Sequence, residues 1–497
     1  MKSKKVFEFM EKSQTENYYV TTSIPYANGS PHLGHALEFL MADVVARIAR
    51  QDGKKVIFST GTDEHGDKVA QKAAALKITP KEFTDGISNE FKQLQKALNI
   101  SNDRFIRTTD RGHTQRAAMI WQKLEHDIYK GKYSGWYDMK QEEYVPESQV
   151  DPARTDPNHP QAYKHLEENN YFFKLSKYTK PIMEAIEKDE FRIIPSTRKN
   201  EILSLLRDGL TDISVSRPKN KLEWGIDIPD DPNQVMYVWF EALMNYLSVL
   251  GYPENEDFKK FWPPDIQVIG KDILRFHAAI WPAMLLSLGL PLPKVLYAHG
   301  FINVDGQEMS KSLGNGIHPK ELIDQYGVDG FRYFMLRHIP SYNDGEFSWK
   351  LIDDAYNNEL ANQLGNAVQR TASMIMKYQK GLIGIMPQAD HDIGPYQEAL
   401  ENCQFDRALD EVFQQVKGLN QYIDEEKPWA IAQTNDADHL REVLAYQASS
   451  LIQIADLLEP FLPDSAIKIR YVFKDGVIRP LKTTLFPKKE LPTKYTK

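Results

Sequence analysis

The stretch Tyr18-Tyr19-Val20-Thr21-Thr22-Ser23-Ile24-Pro25-Tyr26-Ala27-Asn28-Gly29-Ser30-Pro31-His32-Leu33-Gly34-His35 decides the fold. Its β-branched and aromatic residues from Tyr18 to Ile24 read as a strand that stops at Pro25, and Asn28-Gly29 marks a turn. Apolar residues then recur at Leu33, Leu37, Leu40, Val44 and Ile48, the spacing of one helix face, and Asp52-Gly53 ends that helix. Lys55 to Thr60 reads as a second short strand. A strand–helix–strand unit predicts parallel strands joined by a right-handed crossover, and hence an α/β fold built on a parallel sheet.

Working outward, residues 116–230 change character. They are rich in Tyr, Glu, Asn and Pro, with a turn-rich stretch from Asp151 to Pro160, and read as an inserted module. Apolar β character returns at Val235 to Phe240 and at Ile266 to Ile269, followed by a helix from Asp272 to Ser287 and a strand from Lys294 to His299. Two halves of one Rossmann-type sheet, 1–115 and 231–303, are therefore expected to flank the insertion. A loop-bearing region is expected over 304–350. From 351 to 497 the pattern is helical, with loops at Pro387 to Pro395 and Lys427-Pro428, which predicts an α-helical bundle.

The composition limits the function classes. The 497 residues include 61 Lys+Arg and 69 Asp+Glu, a net charge of −8, which excludes a broadly basic nucleic-acid coat but not a local basic face toward RNA. Cys403 is the only cysteine, so the chain has no intramolecular disulfide and no thiolate zinc cluster. Glu8, Glu11 and Glu16 and the lack of an apolar run argue against a targeting segment in residues 1–20. The most apolar stretch, Ala278 to Pro293, is interrupted by Pro282, Pro291 and Pro293 and reads as a buried helix, not a membrane span. A cytoplasmic, membrane-free protein is expected.

Two short motifs suit phosphate chemistry. His32-Leu33-Gly34-His35 falls where the first strand hands over to its helix. A helix N-terminus collects unpaired amide donors and partial positive charge, two imidazoles add donors, and Gly34 leaves room for a flat ring against the backbone. Taken alone, the histidines could equally be helix caps. Met309-Ser310-Lys311-Ser312-Leu313-Gly314-Asn315 follows the turn Val304-Asp305-Gly306-Gln307. Small residues around one lysine suit a loop that closes on polyphosphate, where Lys311 would neutralise a leaving pyrophosphate. By itself this stretch could be an ordinary solvated loop.

In this order and on these elements, the two motifs resemble those of class I aminoacyl-tRNA synthetases. The closer resemblance is to the methionyl-tRNA synthetases. It is carried by Ser23 to Gly29, Gly61-Thr62-Asp63-Glu64-His65-Gly66, Tyr237-Val238-Trp239-Phe240-Glu241-Ala242, and Gly270-Lys271-Asp272-Ile273-Leu274-Arg275-Phe276-His277 with Trp281-Pro282 beyond. It runs from Tyr18 to about Pro463.

The resemblance implies methionine–tRNA ligase activity: L-methionine and ATP with Mg²⁺ give methionyl adenylate, and methionine passes to the 3′ end of initiator and elongator tRNA(Met). It assigns catalysis to His32, His35 and Lys311, and ATP binding to Gly34, Glu38, Gly270, Asp272, Ile302, Ser310 and Lys311. It assigns the methionine site to Ser23, Ile24, Tyr26, Asp63, Trp239, Ala242, Tyr246, Ile273, His277 and Trp281, with Asp63 on the substrate ammonium. By spacing alone, Trp239, Tyr246 and Trp281 read as core, and Asp63-Glu64-His65 could equally be a helix cap. Asn366, Arg370 and Trp429 are implied to contact the anticodon, so the helical bundle becomes the anticodon-binding domain. A monomer is expected.

The sequence departs from the family pattern in two places. The second motif usually opens with lysine, where this chain has Glu308, which leaves the phosphate role to Lys311. Many members hold zinc in the insertion with Cys-x-x-Cys pairs, but here Asp138 and Gln141 occupy the first pair's positions, and no second pair stands around Asn158-His159-Pro160. A connective insertion without zinc is expected.

Overall fold

The computed structural model describes residues 16–138, 142–145, 147, 150–157, 159, 162–304, 306–308, 317–387, 392–434 and 436–490. Ser310 and Lys311, with the rest of the Met309–Asn315 loop, lie outside these residues, as do Gln141, Asn158 and Pro160.

The opening stretch folds as β1 (Asn17–Thr22), α1 (Leu33–Gln51) and β2 (Lys55–Thr62). The sheet is completed by β3 (Arg104–Arg107), β4 (Arg192–Ile194), β5 (Ile266–Gly270) and β6 (Val295–His299). The strand order is β3-β2-β1-β5-β6-β4, every pairing is parallel, and β1 adjoins both β2 and β5. The chain thus moves outward from β1 in one direction through β2 and β3, and returns to the other side of β1 as β5. That reversal makes the carboxyl ends of β1 and β5 a topological switch point, where α/β sheets open a ligand crevice.

Between β3 and β5 the chain builds an antiparallel sheet in which Ile128–Asp138 pairs with Lys164–Phe173 along its full length. From within the same 116–230 region, β4 returns to pair with β6 at the edge of the parallel sheet. The apolar run Val235 to Phe240 does not stay extended. Its strand ends at Met236, and α2 (Val238–Leu243) follows. Periodicity cannot separate a short buried strand from a short buried helix, and tertiary packing chose the helix here. The expected helix from Asp272 to Ser287 opens as a 3₁₀ turn, Lys271–Ile273, then winds as a π segment, Phe276–Ile280, before Trp281–Ser287 continues as α-helix. Such π insertions gather at functional sites.

After the short parallel pair Ile302–Val304 and Gly345–Phe347, joined through α3 (Pro319–Arg337), the chain becomes helical. Its long helices include α4 (Asn366–Gln379), α5 (Phe405–Glu426) and α6 (Ala437–Leu458). One apolar core runs through both regions, from Val20, Leu37 and Leu40 through Phe331 and Phe334 to Leu409 and Leu444. Full burial of each such leucine or phenylalanine contributes about 1.5–3 kcal/mol, so the sheet and the bundle stabilise each other. Among the described residues, no helix is long and apolar enough to cross a membrane.

Candidate active site

His32 is the N-cap of α1. Its Nδ1 accepts from the Gly34 amide at 3.2 Å, while its own amide donates to His35 Nδ1 at 3.2 Å. The two rings stack with centroids 3.7 Å apart, and Phe91 meets His35 edge-on at 5.0 Å. An Nδ1 that accepts carries no proton, so in each neutral ring the hydrogen sits on Nε2. Helix capping, one of the two readings the sequence left open, therefore engages the Nδ1 side of each imidazole. A Cβ on Gly34 would lie 3.1 Å from His32 Cε1, so glycine also keeps the cap uncrowded.

One turn into α1, Glu38 is buried. It accepts from Ser23 Oγ at 2.6 Å and from His299 Nε2 at 3.3 Å. His299 Nδ1 donates to the Gly300 carbonyl at 2.8 Å. Burial works against charge on His299, but the Glu38 carboxylate prevails and raises its pKa. Glu38 therefore ties β1 to β6 across the crevice. His299 was missed in the sequence because its only local signal is a strand end. Ser23, expected in the methionine site, donates its hydroxyl to Glu38. Gly270 ends β5, and a Cβ there would come within 2.6 Å of Asp272 Oδ1. Asp272 is exposed at the same crevice edge, whereas Ile302 is buried in its strand.

Asp63 lies just past β2, bridged to Tyr26, and its carboxylate is buried. It does not cap the next helix, Asp67–Leu76, whose N-cap is Gly66 and whose first amides donate to Glu142 Oε1 at 2.7 and 3.0 Å. Burial, then the charges of Glu241, Glu142 and Glu64, push the Asp63 pKa well above the carboxylate range. A cation brought beside Asp63 would favour its ionised form. Gly66, at φ +111°, passes so close that a Cβ would stand 2.4 Å from the Tyr26 hydroxyl. Burial, together with the Glu142 carboxylate beside that hydroxyl, raises the Tyr26 pKa.

The aromatic residues divide into two kinds. Trp239 is partly exposed and stacks on Phe276 at 4.0 Å. Tyr246 and Trp281 are fully buried, 5.6 Å apart, so the core reading of these two also holds. The Tyr246 hydroxyl donates to His277 Nε2 at 2.8 Å, and His277 Nδ1 donates to the Ile273 carbonyl at 3.0 Å. Burial lowers the His277 pKa to about 4, so the ring is neutral at physiological pH. The π turn at Phe276–Ile280 brings His277 against Tyr246. Ile24 and Ile273 are half-buried, and Ala242 is buried on α2.

In the bundle, Asn366 is exposed at the start of α4. Arg370, one turn on, lies 5.6 Å over the Trp429 ring and pairs with Asp424 at 2.7 Å. A cavity of about 400 Å³ is lined by Gln369, Arg370, Ser373, Met374 and Trp429. Among the described residues, no group of three or more His, Cys, Asp or Glu side chains is arranged to hold a metal ion.

Known proteins are similar to this chain in sequence and in fold. The family model described as "tRNA synthetases class I (M)" matches residues 18–372. The Methionine--tRNA ligase of Brucella melitensis is 41% identical over 472 residues, 91% of this chain and 91% of that one. The relative from Thermotoga maritima is 39% identical over 470 residues, 91% of this chain and 74% of its own length. Mycobacterium tuberculosis methionyl-tRNA synthetase in complex with methionyl-adenylate superposes with a TM-score of 0.89 at 37% identity, covering 95% of this chain and 100% of that one. Sequence identity of this extent, together with the shared fold, leads to one conclusion: the chain belongs to the methionyl-tRNA synthetase family of class I tRNA synthetases.

Proposed function

We infer that this chain is a methionine–tRNA ligase. It activates L-methionine with ATP and transfers the methionyl group to the 3′ end of tRNA(Met). The observation that supports this reading most is the pair of Nδ1-anchored imidazoles where β1 hands over to α1, with the buried Asp63 carboxylate just past the adjacent strand β2.

The chemistry needs no protein nucleophile. The methionine carboxylate oxygen attacks the α-phosphorus of ATP, a P–O bond forms, and the bond to the bridging oxygen breaks as pyrophosphate leaves. The Nε2–H groups of His32 and His35 and the amides of the α1 N-terminus donate to phosphate oxygens as charge shifts toward the leaving group. Gly34 and Gly270 are assigned to admitting the nucleotide, and Glu38, Asp272 and Ile302 to holding it through side-chain or backbone contacts. Mg²⁺ enters with the triphosphate as part of the substrate. Asp63 orients the ammonium, while Tyr26, Trp239, Ala242, Ile273 and the Tyr246–His277 pair surround the thioether, with Trp281 behind. The terminal tRNA hydroxyl then attacks the carbonyl carbon of the adenylate, and AMP leaves.

Methionine-dependent exchange of pyrophosphate into ATP tests the first half-reaction directly. Lys311 follows the strand Gln307–Glu308 in sequence and is assigned to the departing pyrophosphate. Lys311→Ala is expected to lower the exchange rate by about 100-fold or more, with methionine binding retained. Wild-type exchange in that variant would remove Lys311 from the mechanism.

Asn366, Arg370 and Trp429 are assigned to the anticodon, with the Trp429 plane stacking an unpaired base and the amide and guanidinium reading its edge. A stacked base contributes about 1–3 kcal/mol, so Trp429→Ala is expected to lower kcat/KM for tRNA about 10- to 100-fold. An unchanged charging efficiency would count against anticodon contact at this cavity.

A further inference from the structure

Glu241 sits two residues beyond Trp239 on α2, and its carboxylate is fully buried. A buried charge is costly unless both of its oxygens are met. His65 Nδ1 lies 2.8 Å from Oε1, and His113 Nε2 lies 2.9 Å from Oε2. A carboxylate only accepts, so both rings donate. On its far side, His113 Nδ1 meets Ser248 Oγ at 2.8 Å, and that hydroxyl reaches the Asn245 carbonyl at 3.2 Å. Burial favours protonation of Glu241, but His65 and His113 outweigh it and hold the carboxyl below its ordinary range.

The network joins two parts of the site that are distant in sequence. His65 is two residues past Asp63, in a turn held tightly on both sides. Ala27 N donates to the Asp63 carbonyl at 2.7 Å, and Trp224 Nε1 donates to the Glu64 carbonyl at 2.6 Å. Glu241 shares its short helix with Trp239 and Ala242. The His65–Glu241 contact, across 176 residues, therefore links the loop bearing the ammonium carboxylate to the helix bearing the side-chain wall. The reaction described above uses none of Glu241, His65 or His113.

We propose that Glu241 is a positioning residue for the amino-acid substrate: by bridging His65 and His113 it sets the separation between Asp63 and the Trp239–Ala242 wall, so that one ligand reaches both. This rests on the assignment of Asp63 and Trp239 to methionine.

The test is Glu241→Gln in the full chain, assayed by pyrophosphate exchange, with the melting temperature measured on the same preparation. A glutamine offers one oxygen to one ring and its NH₂ to the other, so one imidazole must change tautomer to keep its contact, and both ties lose the carboxylate's charge. The KM for methionine is expected to rise about tenfold or more, as for a misplacement of under an ångström, with the KM for ATP within about twofold. His65→Gln, which cuts only the tie to the Asp63 loop, is expected to raise the methionine KM in the same selective way. His113→Gln is expected to have the smaller effect of the two.

An unchanged methionine KM in both Glu241→Gln and His65→Gln overturns the proposal, whether or not the melting temperature falls. A parallel rise in the KM for ATP also overturns it. If Glu241→Gln does not fold, His65→Gln decides by the same criteria. Absence of methionine-dependent exchange in the wild-type chain would instead overturn the underlying assignment of function.

Discussion

Asp63→Asn is expected to lower kcat/KM for methionine about 100-fold or more, almost entirely through KM, while the KM for ATP stays within about twofold. Truncating one side of a buried charge pair costs about 2–5 kcal/mol, and the partner proposed for Asp63 is the substrate's own ammonium. Asparagine keeps the shape and one acceptor but removes the charge.

The same environment sets a pH signature. Burial and the neighbouring Glu241, Glu142 and Glu64 raise the Asp63 pKa, and only the ionised form pairs with the ammonium. The methionine KM of the wild-type chain should therefore rise as pH falls, starting above the ordinary carboxylate range. In Asp63→Asn that dependence should vanish.

Stability should move the other way. A carboxyl whose pKa is raised by folding contributes stability below its unfolded pKa and loses it as pH rises through the folded value. At neutral pH its ionisation opposes folding, so Asp63→Asn should match or exceed the wild-type melting temperature. A binding site that costs stability is a common exchange in enzymes. An unchanged methionine KM in this variant would remove Asp63 from the ammonium site.

The second large effect concerns the joint between the sheet and the bundle. Arg332 on α3 is completely buried. Its guanidinium donates to the carbonyls of Phe461, Pro460 and Leu98 at 2.6, 3.0 and 3.1 Å and pairs with Asp43 of α1 at 2.8 Å. Arg332→Met keeps the apolar stem but leaves a buried carboxylate and three carbonyls short of donors. Breaking a buried pair from one side costs about 3–5 kcal/mol, which should appear as a lower urea midpoint.

Lysine is not an adequate replacement, because one ammonium cannot span the four acceptors that the planar fork reaches. Asp43 is also held by Arg47 at 2.7 Å. Although burial favours its protonated form, Arg332 and Arg47 lower its pKa. Its contribution is thus present above its unfolded pKa and lost as pH falls through the folded value. Asp43→Asn combined with Arg332→Met should cost less than the sum of the two single changes. Strict additivity would show that the two side chains do not depend on each other.

What could be read from the sequence was local. The strand before Pro25, the helix from Leu33 and the strand from Lys55 each announce themselves within a few residues, because periodicity and turn chemistry are properties of neighbours. His32, Gly34 and His35 were legible for the same reason, since their meaning depends on standing at a strand-to-helix turn. The Val235–Phe240 run was legible only in part: six apolar residues fit a strand or a buried helix, and packing on the aromatic core made Val238–Leu243 helical. Nor does β4, three residues in an otherwise helical stretch, carry a pattern long enough to place it at the edge of the parallel sheet.

The residues that escaped notice share a different property. His299 acquires its role from Glu38, 261 positions away, Glu241 from His65 and His113, and Arg332 from Asp43 and the Leu98 and Pro460–Phe461 carbonyls. A buried histidine, glutamate or arginine looks the same in a sequence whether its partner is water or another charge. By itself, then, the sequence determined the alternation of strand and helix, the strand-to-helix turn that carries His32 and His35, and the family to which the chain belongs. Only the tertiary structure decided which buried charges meet, because pairing across hundreds of residues is settled by desolvation and geometry, which act after the chain has folded.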